Sequence, residues 1–273
     1  MHDFHDSYAR DGYIFPLDVI SPDEAAILRA DYEAAESMLA GDDQKMRLLR
    51  LYPDRLLPAF SDLVRHPKIL AYVSQILGAD LMVWSADMFI KEAQSPKIVS
   101  WHQDLTYWGL DDATEITCWV ALSDASVASG CMQFVAGSHK QLLVPHQDTF
   151  DADNLLSRGQ EIAVEVNQDE AISAELAPGQ ASLHHGHLFH GSPPNFTDDR
   201  RMGVAIRFIT PAMKQTSNAR TMVSHVSGKD TYGHFDLTMP PATRLGEVEF
   251  DACLADEVIR RDILYDGATQ RPS

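Results

Sequence analysis

Along the first third of the chain, apolar residues return at helical spacing. Ser21-Pro22-Asp23-Glu24 carries the signals of a helix start, with Ser21 as the cap, Pro22 at the first helical position and Glu24 able to complete a capping box. Leu28, Tyr32, Ala35 and Leu39 then share one face, and Gly41 supplies the stop. A second helix is predicted over 67–77, where Ile69, Leu70, Val73, Ile76 and Leu77 are the apolar positions and Gly78 ends the run. Both read as scaffold, packing their apolar faces against a sheet.

After Gly78 the texture changes to short β-prone runs between turn residues. They occupy 81–91, 114–122, 132–135, 161–166, 179–185 and 202–210. Turns such as Ala177-Pro178-Gly179 and Ala136-Gly137-Ser138 separate them, which predicts a mainly β antiparallel sandwich or jelly roll. The N-terminal helices should then flank one outer face. Beyond Thr210 the pattern weakens until a closing helix over 247–264, with Phe250, Leu254, Val258 and Ile259 on its apolar side. No linker, charge run or repeat divides the 273 residues, so one domain spanning 1–273 is expected.

The formal net charge of −18 argues against nucleic acid or an anionic membrane as partner, since both require a positive patch. A small molecule remains as the expected partner. Cys118, Cys131 and Cys253 are odd in number and lack C-x-x-C spacing, so they read as buried thiols rather than a disulfide framework or a thiolate metal site. Met1-His2-Asp3-Phe4-His5-Asp6 has no basic and apolar leader, and no apolar stretch is long enough for a bilayer. A soluble cytoplasmic protein is the expectation.

Chemistry concentrates in Ser100-Trp101-His102-Gln103-Asp104-Leu105-Thr106-Tyr107-Trp108. On a strand, positions i and i+2 face the same way, so His102 and Asp104 aim a nitrogen and an oxygen donor at one point. Two histidines and one carboxylate form the open set that holds non-haem Fe(II). The missing histidine has candidates in the cluster His184, His185, His187 and His190, and the strand after it favours His190. In 201–208, residues Arg201, Gly203, Ala205 and Arg207 share a face, and a buried guanidinium needs an anion. Its planar fork suits a carboxylate.

In order along residues 5 to 210, four blocks resemble the phytanoyl-CoA dioxygenase family of Fe(II)- and 2-oxoglutarate-dependent oxygenases. They are Asp11-Gly12-Tyr13 before the capped helix; the 101–108 block; Gly130-Cys131-Met132-Gln133 leading to Gly137-Ser138-His139-Lys140; and His190-Gly191-Ser192-Pro193-Pro194-Asn195 leading to Arg201. The resemblance implies a double-stranded β-helix, cupin-like core and iron ligands at His102, Asp104 and His190. It further implies a 2-oxoglutarate carboxylate held by Arg201 with Ser192, cofactor-lining roles for Met88 and Trp119, and Gln103 at the edge of the site. Fe(II), 2-oxoglutarate and O₂ are thus the implied cofactors, and hydroxylation of a C–H bond the implied reaction. Pro193 departs from the glycine common at that position, which stiffens the turn without removing a ligand. Asp104 fills the coordination position that a halogenating branch leaves open for chloride, so halogenation is not expected.

For the substrate, Tyr107 and Trp108 with Trp84 offer an aromatic wall that suits an ammonium, and Arg207 is a second cation free for an anionic group. Each also has a bland reading, as core filling or as a salt bridge. His139 reads as a turn or surface residue. Within the family, the 101–108 block resembles hydroxylases of small polar metabolites such as 2-aminoethylphosphonate and its trimethylammonium relative. Betaines, amino acids and acyl-CoA are the alternatives, acyl-CoA being disfavoured by the acidic balance. Two rival readings are a metal-free sugar-binding jelly roll and a zinc hydrolase or cupin isomerase, neither of which uses an inward Arg201.

Overall fold

The computed structural model describes residues 4–217 and 219–268, and places the first predicted signals where the sequence puts them. A short helix α1 (Phe4–Asp11) and strand β1 (Tyr13–Asp18) precede α2 (Pro22–Met38). The capping box of α2 forms in both directions, Glu24 N donating to Ser21 Oγ at 3.2 Å and Ser21 N to Glu24 Oε2 at 2.7 Å. Helix α6 (Pro67–Leu77) ends at Gly78, whose φ of 87° favours glycine.

Between them lie three helices that periodicity alone did not mark: α3 (Asp43–Leu51), α4 (Pro53–Leu56) and α5 (Pro58–Leu63). Their start signals are nonetheless present. Asp42 accepts from Lys45 N at 3.0 Å, and Pro53 and Pro58 each stand in the first turn of a helix.

The remaining strands are β2 (Leu81–Lys91), β3 (Val99–His102), β4 (Glu115–Ala121), β5 (Met132–Phe134), β6 (His146–Asp148), β7 (Gln160–Ile162), β8 (Ile172–Ala174), β9 (Gln180–His184), β10 (His190–Ser192), β11 (Arg201–Ile209), β12 (Met222–Ser227) and β13 (Asp236–Thr238). Seven form a sheet in the order β1-β9-β4-β11-β2-β12-β13, antiparallel except for the β12–β13 pair. Four form a smaller sheet, β3-β10-β5-β8, and β6 pairs with β7 as a separate hairpin. The fold is a jelly roll with flanking helices, and the chemistry lies between its two sheets.

Strand alternation divides the large sheet cleanly. On β11, Met202, Val204, Ile206 and Phe208 join the helix-packed core, while Arg201, Ala205 and Arg207 line the sandwich interior. On β4, Ile116, Cys118 and Val120 take the helix side, and Thr117 and Trp119 the interior. A register shift in the β2–β11 pair skips Trp84, so Trp84 and Ser85 both open onto an interior cavity. Burial of a side chain such as Phe60 or Phe208 contributes about 1.5–3 kcal/mol each.

Three expectations require correction. The run predicted over 161–166 pairs only as Gln160–Ile162, because the hairpin partner β6 is three residues long. The metal-motif strand ends at His102, and a 3-10 turn (Asp104–Tyr107) comes after it. The closing helix α7 (Glu247–Leu264) buries Phe250, Cys253, Asp256 and Glu257, leaving Val258 45% exposed. Its inner face is polar because Asp256 collects Tyr52, Arg55, Arg260 and the Met222 amide, a pattern hydrophobicity cannot register. Cys118, Cys131 and Cys253 are buried and unpaired, and no described helix is long and apolar enough to cross a membrane.

Candidate active site

The smaller sheet solves the problem of distance along the chain. His190 on β10 is the register partner of His102 on β3, so the two imidazoles are cross-strand neighbours with ring centroids 4.1 Å apart. Asp104 lies past the strand end, but Gln103 keeps extended dihedrals, φ −120° and ψ 130°, and the alternation carries one residue further. Asp104 Oδ1 then stands 3.4 Å from His102 Nε2 and 3.9 Å from His190 Nε2. These three residues are the one group of histidine, cysteine or carboxylate side chains, among those described, whose donor atoms converge closely enough for a metal ion.

Their outer hydrogen bonds orient them. His102 Nδ1 lies 2.9 Å from Ser100 O, and His190 Nδ1 lies 2.9 Å from Leu188 O. A carbonyl can only accept, so Nδ1 carries the proton and each Nε2 lone pair is directed to the shared centre. Burial, reinforced by the neighbouring His102, holds His190 well below the ordinary imidazole range, which keeps it neutral as a ligand must be. Burial alone would raise the Asp104 carboxyl; contacts with His102 and His184, with the nearby His190 ring and the Arg207 charge, hold it well below the ordinary range. Two imidazole nitrogens and a carboxylate, aimed at one point, fit a divalent iron with open positions.

Two cavities meet at this centre. The inner one lies between the sheets and is lined by His102, Asp104, His190, Ser192, Arg201 and Trp119 among others. The outer one, about 410 Å³, is also lined by His102 and Asp104 and lies against α3 and α7.

At the inner end, Arg201 is 2% exposed and donates Nη2 to Gly130 O at 2.8 Å, while its buried Nε has no hydrogen-bond partner. The Trp119 ring lies under its guanidinium at 5.1 Å. Beside it on β2 is Lys91, the register partner of Arg201, completely buried. Lys91 Nζ donates to Ser192 Oγ at 2.6 Å and to the carbonyls of Ser192 and Pro193. No carboxylate pairs with either cation among the described residues. Burial, with Arg201 next to it, pushes the Lys91 ammonium down to about 6, and burial brings Arg201 down to about 10. Arg201, desolvated and with an unsatisfied Nε, fits a ligand carboxylate, while Lys91 directs its donors to Ser192 and Pro193 beside it.

Sequence comparison agrees with this geometry. The phytanoyl-CoA dioxygenase (PhyH) family profile matches residues 8–203. The chain belongs to the phytanoyl-CoA dioxygenase family. Within it, the ectoine dioxygenase of Nocardia farcinica is 26% identical over 227 residues, covering 74% of this chain and 75% of that one. A probable alpha-ketoglutarate-dependent hypophosphite dioxygenase of Stutzerimonas stutzeri is 26% identical over 159 residues, covering 57% of this chain and 54% of that one. Among solved structures, the apo form of the non-heme monooxygenase ThoJ is 31% identical, covers 97% of this chain and 98% of its own, and superposes with a TM-score of 0.86. This PhyH-family chain is an Fe(II)- and 2-oxoglutarate-dependent dioxygenase.

Other side chains singled out in this family member fall into place unevenly. Trp119 and Ser192 line the inner cavity, whereas Met88 lines the outer one and its carbonyl accepts from Arg50 Nε at 3.3 Å. Gln103 is fully buried, its amide donating to Leu142 O and His187 O and its oxygen accepting from Val144 N, so it ties down a loop. Tyr107 and Trp108 line the outer cavity, with Trp108 stacked on Trp84 at 5.0 Å. Arg207 is not free: Nη1 donates to Ser85 Oγ at 2.9 Å and to the Asp87 carboxylate. His139 packs beside His185 and Gly12, away from both cavities.

Sequence reading missed Lys91, Thr117 and Glu115, and named His184 only as one of four candidate ligands. His184 is 1% exposed, with Nε2 3.7 Å from Asp104 Oδ2 and neither ring nitrogen hydrogen-bonded. Lys91 did carry a signal, since a lysine that continues the inward alternation of a central strand must meet a partner inside.

Proposed function

We propose that this dioxygenase hydroxylates a C–H bond of a small organic metabolite, with His102, Asp104 and His190 as the iron ligands. Arg201 and Ser192 would hold the distal carboxylate of 2-oxoglutarate in the inner cavity, against the face of Trp119, with Lys91 orienting the Ser192 hydroxyl from behind. With O₂, the bound metal and 2-oxoglutarate supply an oxidation in which the 2-oxoacid gives succinate and CO₂, one oxygen atom entering succinate and the other the substrate C–H bond.

The observation that supports the reading is the buried Arg201 guanidinium, without a carboxylate partner among the described residues, at the inner end of the cavity that the triad lines, with Lys91 behind it on β2. A sugar-binding jelly roll has no use for two buried cations, and a zinc hydrolase has none for a carboxylate clamp beside its metal. The protein's own part is to orient the two imidazoles through Ser100 and Leu188, to fix the cofactor's far end, and to present substrate from the outer cavity with water excluded. Asp104 occupies its coordination position, which supports hydroxylation over halogenation.

For the substrate, an aminoethylphosphonate-type zwitterion remains the small-metabolite reference case. Its anionic half suits the arginine-lined outer cavity. Its ammonium half is less suited, for the faces of Trp84 and Trp108 already carry the Arg260 and Arg207 guanidiniums at 4.3 and 5.0 Å. Three buried unpaired thiols suit a reducing cytoplasmic setting.

The test is succinate release and O₂ consumption by anaerobically purified Fe(II) protein given 2-oxoglutarate and air. Turnover dependent on both is expected. Absence of even uncoupled turnover in protein that retains iron would overturn the reading.

A further inference from the structure

Five arginines line the outer cavity: Arg47 and Arg50 on α3, Arg207 on β11, and Arg260 and Arg261 on α7. In a chain with 22 basic and 40 acidic residues this concentration runs against the overall balance. Their partners separate them into two groups.

Three are engaged. Arg207 is held by Ser85 and Asp87, and Arg260 by Asp256 and the carbonyls of Trp84 and Met222. Arg47 reaches Glu257 at 3.3 Å, joining α3 to α7.

Arg50 and Arg261 differ. Neither has an ion-pair partner among the described residues. Arg50 makes a single 3.3 Å contact to Met88 O, and the buried Nε of Arg261 has no hydrogen bond. Among the described residues, the same cavity is lined by three carboxylates: Asp87 and Glu257, already paired, and Asp104 of the metal centre. Half-buried guanidiniums without an anion lose hydration for nothing in return, and a ligand anion restores the balance.

The rest of the wall fixes the other half of the ligand. Leu51, Leu155, Leu156 and Ile263 line the cavity with apolar surface. The two tryptophan rings are covered by guanidiniums, so an entering ammonium would meet positive charge where a cation-binding site offers bare aromatic faces. About 410 Å³ also exceeds the needs of a metabolite of two or three carbons.

We infer that the substrate is an amphipathic organic anion, its terminal phosphate, phosphonate or carboxylate held by Arg50 and Arg261 and its apolar body lying along the leucine wall toward His102 and Asp104. This rests on the hydroxylase reading above and names the substrate class for that site.

The test uses Fe(II) protein held anaerobically with 2-oxoglutarate and titrated with hexyl phosphate, hexanoate and hexyltrimethylammonium, with binding read by calorimetry and melting temperature. The two anions should bind saturably and raise the melting temperature by mass action, with the cation at least about tenfold weaker. Arg50→Gln and Arg261→Gln should each weaken anion binding about tenfold or more, and Arg50→Lys and Arg261→Lys should recover part of the loss. Equal binding of the cation, or anion binding unaltered in both glutamine variants, overturns the inference; the wild-type ligand series decides the matter should a variant fail to fold. The visible absorption of the Fe(II)–2-oxoglutarate complex, recorded first, separates the two levels. If it never develops, the dioxygenase reading fails; if it develops and the anions do not bind, only the substrate class fails.

Discussion

Lys91 and Arg201 are direct register partners on β2 and β11, both buried, and neither is paired with a carboxylate among the described residues. Like charges this close disfavour each other's charged form, and the ammonium yields first because a guanidinium holds its proton more strongly. A carboxylate arriving at Arg201 offsets the guanidinium charge that Lys91 meets, so cofactor binding near neutral pH should take up a proton at Lys91. Lys91→Met should weaken 2-oxoglutarate binding at least about tenfold, since a nearby positive charge and the hydrogen bond that orients Ser192 Oγ are lost. Calorimetry in buffers of different ionisation enthalpy would measure both effects; equal proton uptake in the variant and the wild type would contradict this.

The same pair sets a pH dependence of the unliganded fold. Lys91 falls to about 6 from its ordinary 10.5, so the unfolded chain binds the extra proton between those values. Stability from this group is therefore present above about pH 10.5 and is lost as pH falls toward about 6. Denaturant unfolding should give a steeper rise of stability with pH in the wild type than in Lys91→Met. At pH 7 the variant avoids the cost of stripping a proton from a buried amine but loses the hydrogen bonds to Ser192 and Pro193, so the pH slope rather than the absolute stability is the readout.

His190→Ala and Asp104→Ala should each abolish stoichiometric iron binding while leaving the fold intact. Each removes one of only three converging donors, and each shortens a side chain at the mouth of an existing cavity. Metal content after dialysis, beside far-UV circular dichroism, checks this. Retention of full iron by either variant would mean that His184, 3.7 Å from Asp104, serves as a ligand instead.

Gly203→Ala is expected to act on the cofactor pocket through packing alone. A Cβ at 203 would sit 2.0 Å from the Trp119 indole, which itself lies under Arg201. The ring must move or β11 must bend, at a cost of about 1–3 kcal/mol. The melting temperature should drop, and 2-oxoglutarate affinity should fall with it. Restored affinity in Gly203→Ala/Trp119→Phe would identify the indole as the intermediary.

Much of this site could be read from the sequence because its parts are local or periodic. His102 and Asp104 sit two apart, and Arg201 and Arg207 sit on one alternating face, so spacing alone puts each pair together. His190 was reachable only through order and resemblance, since the register that sets it opposite His102 belongs to a pairing between distant segments. The arginine cavity was invisible for the same reason: α3 and α7 lie some two hundred residues apart, as the Arg47–Glu257 contact records, and summed charge conceals a local excess. Arg207 was legible in its direction but not in its partner, because Asp87 meets it only across the β2–β11 ladder.

A buried relay behind Asp104 provides the last prediction. Thr117 Oγ lies 2.9 Å from Glu115 Oε1 and 3.1 Å from Asp104 Oδ2. One hydroxyl hydrogen cannot serve two carboxylates, and burial, with the charge of Asp104 added, drives Glu115 well above the ordinary range. Glu115 therefore keeps its proton and donates to Thr117, which donates to Asp104 Oδ2, the oxygen not turned to His102 and His190. Thr117→Val removes that donor and should lower metal affinity roughly 10–100-fold, whereas Glu115→Gln supplies an equivalent N–H and should change it little. The same shift sets the sign of the pH effect: Glu115 contributes stability below its unfolded value, near pH 4.5, that is lost as pH rises toward its elevated folded value. Glu115→Gln should remove that decline. A metal affinity unchanged in Thr117→Val, or a decline that persists in Glu115→Gln, would show that the chain of hydrogen bonds does not run in this direction.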